Sequence, residues 1–204
     1  MPAILLIRHG ENDYVKQGRL AGRLPGVHLN EKGQAQAERL AKALAKVPIK
    51  AIYSSPLDRA LETAAPLAAV KSLIVVECPG LVETDVGAWQ GEKISSLRRL
   101  KIWKTLQNRP SLMRFPDGET VAEAQQRIVA EIQHIASLHG PKEMAALFSH
   151  SDPIKLAVAY FLGQPLDMFQ RLAIAPASVT TLFVGVGQAM LVNLNTLPGD
   201  SFAT

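Results

Sequence analysis

The chain has 204 residues, 22 of them lysine or arginine against 18 aspartates and glutamates, and 48 % are apolar. This length suits one domain over residues 1–204, with a helical insertion or lid at about 92–117. A net charge of +4 without a dense basic run interleaved with aromatics excludes a nucleic-acid surface.

No apolar run reaches the length of a membrane span, the longest being residues 156–162. Met1-Pro2-Ala3 lacks the basic region of a signal peptide, and the single cysteine, Cys78, excludes an internal disulfide and fits a reducing cytoplasm. Nothing in the chain sets the number of subunits.

Ala3 to Ile7 is a short apolar run that ends in Arg8-His9-Gly10-Glu11, which reads as a buried strand opening into a loop. The carboxyl end of such a strand, in a parallel sheet, faces the crevice where ligands bind. A histidine there can act as nucleophile, and the adjacent arginine can hold an anion. Next comes Gly18-Arg19-Leu20-Ala21-Gly22-Arg23-Leu24-Pro25-Gly26, which lacks the spacing and lysine of a nucleotide P-loop. It is either a basic rim over an anion site or an ordinary connection.

Asn30 caps a helix expected over residues 31–46, with Ala37, Leu40, Ala41, Leu44 and Ala45 inward and Pro48 beyond its end. Residues 51–53 are the second strand. In Ser54-Ser55-Pro56, Ser55 suits the N-cap of the next helix and Pro56 its first position. Arg59 then falls in the first turn, where an arginine opposes the helix dipole unless an anion lies between.

A third strand is expected at residues 73–76, leading into a segment of acids, glycines and Trp89 at 81–91. Between 92 and 117, Ile94, Leu97, Leu100, Trp103 and Leu106 recur at helical spacing among Arg98, Arg99, Lys101 and Lys104. That pattern is an amphipathic helix with a solvated basic face, or a lid whose cations read the far end of a substrate. A long helix runs to about residue 139, with Val121, Ala124, Ile128, Ile132 and Ile135 inward; His134 and His139 read as surface residues, not metal ligands.

Residues 145–148 form the fourth strand, ending in Ser149-His150-Ser151-Asp152-Pro153. Asp152 is expected to cap the following helix, with Pro153 at its first position. The stretches 179–184 and 190–194 pair as a hairpin about Gly185 to Gln188. Four strand ends thus deliver Arg8 with His9, Arg59, Glu83 and His150. Two imidazoles, two guanidiniums and a carboxyl group make sense around a phosphoryl group: arginines on its oxygens, an imidazole attacking in line, a carboxyl protonating the departing oxygen.

Taken in order, several pieces carry a resemblance. They are Arg8-His9-Gly10-Glu11, Gly18-Arg19-Leu20, Ser54-Ser55-Pro56-Leu57 with Arg59 and Glu62-Thr63-Ala64, Leu81 with Glu83, Gly87, Trp89 and Gly91, Pro116 with Gly118-Glu119, and Ser149-His150. By these the chain resembles the histidine phosphatase superfamily, which holds cofactor-independent phosphatases and cofactor-dependent phosphoglycerate mutases. Asp152-Pro153-Ile154-Lys155, Phe169-Gln170-Arg171 and Pro176-Ala177-Ser178 are similar to a bacterial branch of phosphomutases and phosphatases.

The resemblance implies a three-layer α/β/α fold with a mixed, mainly parallel six-stranded sheet. It implies His9 as nucleophile, Arg8, Arg59 and His150 on the phosphoryl group, Glu83 as general acid and then base, and neither metal nor cofactor. Asn12, Arg19 and Ser151 are expected around the substrate, a small phosphorylated molecule. Asn12, Val15, Ser151 and Thr120 depart from the residues frequent in the family; Asn12 can still donate to a phosphate, whereas Val15 cannot. Phosphomonoester hydrolysis is the expected activity, favoured over the mutase reaction by chain length and over an inactive phospholigand-binding module by the complete site.

Overall fold

The computed structural model describes residues 1–198. Its sheet has six strands: β1 Ala3–Arg8, β2 Ile49–Ser54, β3 Val75–Glu77, β4 Met144–Ser149, β5 Val179–Gly185 and β6 Gln188–Thr196, in the order β3-β2-β4-β1-β5-β6. The first four run parallel, β5 pairs antiparallel to β1, and the edge strand β6 pairs antiparallel to β5. The helices are α1 Asp13–Lys16, α2 Glu31–Leu44, α3 Asp58–Lys71, α4 Ile94–Leu97, α5 Lys101–Asn108, α6 Val121–Ser137 and α7 Ser151–Phe161.

Strand alternation divides the core into two layers. Leu5, Ile7, Ile52, Ala146 and Phe148 face α2 and α3, whereas Ile4, Leu6, Ala145, Leu147 and Leu182 face α6 and α7. Leu40 and Leu44 of α2 are fully buried, and each such burial contributes about 1.5–3 kcal/mol. The connections from β1 to β2 and from β2 to β3 travel one way along the sheet, so right-handed crossovers leave α2 and α3 on one face. The path from β3 to β4 turns back and puts α6 on the other.

This reversal creates the crevice. Neighbouring strands β1 and β4 send their next helices, α2 and α7, to opposite faces, so the carboxyl ends of those two strands open between layers. His9 and His150 sit there. The three-layer, mixed and mainly parallel sheet matches the expected fold class.

Several local expectations are corrected. Leu57, not Ser55, is the N-cap of α3, and His150, not Asp152, is that of α7. Ser55 is instead committed to His150, and Asp152 is freed to face the cavity described below. The third strand begins at Val75, leaving Ile74 81 % exposed at the sheet edge. The apolar spacing over 92–117 gives two helices, α4 and α5, because the chain breaks at Arg98 to Leu100; Leu100 is exposed while Leu97 and Leu106 are buried.

His139 is also no surface residue. Its side chain is 8 % exposed, and its Nε2 lies 3.1 Å from the Tyr53 hydroxyl. Asn30 does cap α2, which ends at Leu44, and Thr120 forms a reciprocal capping box with Glu123 at the start of α6.

Candidate active site

The end of β1 is pinned from all sides. The His9 N–H donates to Ser149 O (3.0 Å), and the Gly10 N–H donates to Thr63 Oγ1 (3.0 Å), whose hydroxyl donates to Arg59 O (2.6 Å). Gly10 is required by close approach: a Cβ there would lie 2.7 Å from Gly33 O in α2. The Gly10 carbonyl lies 2.7 Å from His9 Nδ1. A carbonyl only accepts, so Nδ1 carries the hydrogen and Nε2 keeps its lone pair.

His9 is buried on the wall of a cavity of about 420 Å³ that Arg8, Arg59 and Glu83 also line. Burial pushes its basicity well below the usual imidazole value of 6.5, and Arg59 and Arg8 push it the same way. The ring is therefore neutral at neutral pH. His150 is its neighbour, fully buried, with ring centroids 5.2 Å apart and the rings tilted. Burial, Arg59, His9 and Arg8 likewise hold His150 well below 6.5. Its Nε2 is 2.8 Å from Ser55 Oγ.

Arg59 is 1 % exposed at the start of α3, and its Nη2 donates to Gly22 O (2.7 Å). Arg8 donates from Nη1 to Ile174 O (2.6 Å). Burial lowers both guanidiniums below their ordinary value, while the Glu83 carboxyl works against that shift; arginine stays charged regardless.

Glu83 follows the short turn Pro79–Leu81 after β3, and its Oε1 accepts from the Thr84 N–H (2.8 Å). Burial, then the Asp152 carboxylate, raise its carboxyl from 4.5 to about 7 against the pull of Arg59, the Thr84 N–H and Arg8. Glu83 can therefore hold or release a proton near neutrality.

Among the described residues, eight buried side-chain polar atoms have no partner within the protein. Six belong to this site: Arg8 Nε, Arg59 Nε and Nη1, Asn12 Nδ2, Thr84 Oγ1 and His150 Nδ1. Unpartnered buried polar groups are costly, so a cluster of nitrogens and one hydroxyl at one spot points to an anion with several oxygens. No group of three or more metal-ligating side chains is found among the described residues.

Residues 4–197 match the model of the histidine phosphatase superfamily (branch 1). The chain belongs to that family. It is 32 % identical over 190 residues to a 2,3-bisphosphoglycerate-dependent phosphoglycerate mutase of Thermoplasma acidophilum, covering 93 % of this chain and 91 % of that one. It is 27 % identical over 197 residues to phosphoserine phosphatase 1 of Hydrogenobacter thermophilus, covering 96 % and 92 %. Among solved structures, YhfR of Bacillus stearothermophilus superimposes with a TM-score of 0.89 at 28 % identity, covering 97 % of this chain and 98 % of that chain. A mycobacterial glucosyl-3-phosphoglycerate phosphatase in complex with VO3 gives 0.88 at 25 %, covering 96 % and 100 %.

Of the residues expected from sequence, Arg8, His9, Arg59, Glu83, Asn12, Arg19 and Ser151 all line the cavity, and His150, not itself on the wall, lies with its ring 5.2 Å from that of His9. Asn12 is fully buried; its Oδ1 caps α1 through the Val15 N–H (2.9 Å), which leaves Nδ2 for a ligand. Arg19 is partly spent on Gly91 O (2.7 Å). Of Arg98, Arg99, Lys101 and Lys104 in the 92–117 segment, only Arg98 reaches the cavity, alongside Trp103 and Leu106. Asp152, Lys155 and Gln170 also line it; their sequence signal lay in the branch motifs, but without a role attached. Arg23, in the glycine-rich loop, turns away to Glu83 O (2.8 Å).

Arg59→Lys tests the clamp. Lysine keeps the charge but offers one nitrogen, where Arg59 gives Nη2 to Gly22 and still holds Nε and Nη1 unpartnered on the cavity wall. A hydrogen bond to a charged group contributes about 1.5–3 kcal/mol, so catalytic efficiency falls at least about tenfold. Vanadate inhibits wild type more strongly than the variant; equal inhibition removes Arg59 from the anion site.

Proposed function

We propose that this protein hydrolyses a small phosphomonoester through a phosphohistidine on His9. The observation that carries the reading is the group of six unpartnered buried polar atoms beside a histidine whose Nε2 keeps its lone pair. Arg8, Arg59, Asn12 and His150 hold the phosphoryl oxygens. The Nε2 lone pair attacks phosphorus, the ester P–O bond breaks, and the departing oxygen takes the Glu83 proton. Water then attacks the phosphohistidine, giving its proton to the Glu83 carboxylate as the P–N bond breaks and phosphate leaves. A cavity of about 420 Å³ suits a small metabolite. Arg19 and Ser151 lie on its wall beside the leaving group, and the 92–117 segment closes it as a lid within one domain.

The solved relatives support this reading, since one is named a glucosyl-3-phosphoglycerate phosphatase and another is a phosphoserine phosphatase of Entamoeba histolytica in complex with 3-phosphoglyceric acid. The mutase reaction is a second reading, carried by the Thermoplasma acidophilum relative. Chain length does not separate the two, because that mutase is matched over 91 % of its length. Among the described residues no helix is long and apolar enough to cross a membrane. The single cysteine suits a cytoplasmic setting.

The test is a panel of phosphomonoesters, with and without 2,3-bisphosphoglycerate, combined with rapid quenching of labelled enzyme. Hydrolysis without the bisphosphate and an acid-labile, alkali-stable label on the His9 peptide are expected. Turnover only with the bisphosphate selects the mutase; an acid-stable label, or none, overturns the phosphohistidine. Chelators leave the rate unchanged.

A further inference from the structure

The Gly118-Glu119 motif lines no part of the cavity, and neither do Arg23 and Arg127. These three side chains nevertheless converge on the main chain that carries Glu83. Arg127, midway along α6, donates from Nη1 to Gly80 O and Val82 O (2.9 Å each) and from Nη2 towards Glu83 O (3.4 Å). Arg23 donates from Nε to the same Glu83 carbonyl (2.8 Å). Glu119 ties the two arginines together: its Oε1 accepts from Arg127 Nη2 (2.8 Å), Arg23 Nη2 (3.1 Å) and the Asp85 N–H (2.8 Å).

The turn at 80–85 is thus held by charged side chains on α6 and on two loops. Their side chains are only 15 % (Glu119), 22 % (Arg127) and 32 % (Arg23) exposed. Ordering three long charged side chains costs rotamer entropy and desolvation, which a mere surface connection does not require. The brace also reaches the anion clamp. Arg23 follows Gly22, whose carbonyl receives Arg59 Nη2, so one set of bonds spaces Glu83 from Arg59.

We propose that Glu119, Arg127 and Arg23 are positioning residues for the proton donor, fixing the Glu83 main chain so that its carboxyl meets the leaving oxygen. The inference rests on Glu83 acting as general acid, and its test separates the two ideas. A displacement of about 1 Å in a reacting group costs up to about a hundredfold in rate. A poor alkyl leaving group feels that loss; p-nitrophenolate, which departs without a proton, does not.

Single-turnover phosphorylation is measured for wild type, Glu119→Gln, Glu83→Gln and the double variant, with an alkyl phosphate and with p-nitrophenyl phosphate. Glu119→Gln is expected to slow the alkyl substrate by about tenfold or more and p-nitrophenyl phosphate by less than about threefold, with vanadate affinity nearly unchanged. The double variant should be no slower on the alkyl substrate than Glu83→Gln, because both changes act through one group. If Glu83→Gln is selective but Glu119→Gln is silent, slows both substrates equally, or multiplies with Glu83→Gln, the brace is not a positioning device. If Glu83→Gln itself shows no selectivity, the general-acid reading fails first, and this inference with it. Should Glu119→Gln not fold, Arg127→Lys decides, because one ammonium cannot span two carbonyls and Glu119: selective loss supports the brace, and wild-type or uniform rates overturn it.

Discussion

His9→Ala lowers turnover by about a thousandfold or more and leaves a folded protein that still binds vanadate. The variant retains both guanidiniums, Asn12 and His150, so the anion clamp persists, but no other neutral imidazole lines the cavity. His150 cannot substitute. It is fully buried with Nε2 committed to Ser55, which leaves only Nδ1, the atom proposed to hold a phosphoryl oxygen. The fold tolerates the change at a modest cost: the bond from Nδ1 to Gly10 O is lost, worth about 0.5–1.5 kcal/mol net, and the vacated space adjoins the cavity. A drop of a few degrees in unfolding temperature is therefore expected. Rapid-quench labelling and thermal denaturation check the two halves. Phosphoenzyme formed by the variant at a wild-type rate would place the nucleophile elsewhere.

How far the site can be read from sequence depends on what places each residue. His9, Arg59, Glu83 and His150 stand out in the sequence because each follows a strand whose apolar run marks its own end, and parallel strands deliver their ends to one side. Cap propensity alone misplaces the helix starts where a side chain is engaged elsewhere in the fold. Ser55 has the propensity of an N-cap, yet its hydroxyl lies against His150, and the cap position passes to Leu57. Asp152 looks like a cap by the same logic, but the helix begins two residues earlier than such a cap implies, at Ser151, and the Asp152 carboxyl lines the cavity, where its charge acts on Glu83.

Between 92 and 117 the apolar spacing was right in period and wrong in continuity. The break at Arg98 to Leu100 follows from tertiary packing: Trp103 stacks on Trp89 (5.9 Å), which also meets Phe115 edge-on (5.5 Å). Sequence spacing cannot reveal that arrangement. The Arg23, Glu119 and Arg127 brace lay out of reach for a related reason, since its members are separated by 96 and 8 residues and meet only through the fold.

Glu83→Gln slows phosphorylation by an alkyl phosphate by about a hundredfold, within the range typical of general-acid catalysis, and by p-nitrophenyl phosphate far less. The substitution is nearly isosteric and keeps an oxygen for the Thr84 N–H, so the difference reports the proton and not the shape. The pH dependence follows from the direction of the Glu83 shift. Burial and the Asp152 carboxylate raise its carboxyl to about 7, and the donor must be protonated to act. The kcat/KM for an alkyl phosphate therefore holds below about 7 and falls as pH rises through that value. A bound phosphate dianion disfavours the carboxylate further, so the corresponding limb in kcat lies at higher pH. On the acid side, His9 loses its lone pair only well below 6.5, because burial and both arginines oppose its protonation. Glu83→Gln should erase the alkaline limb and leave the acid limb in place. Steady-state rates blur this where hydrolysis of phosphohistidine limits turnover, since in the proposed mechanism Glu83 is also the base of that step; single-turnover phosphorylation isolates the donor. An alkaline limb that survives in Glu83→Gln, or equal losses with both leaving groups, would assign the proton to another carboxyl, and Asp152, on the same cavity wall, is the next to replace.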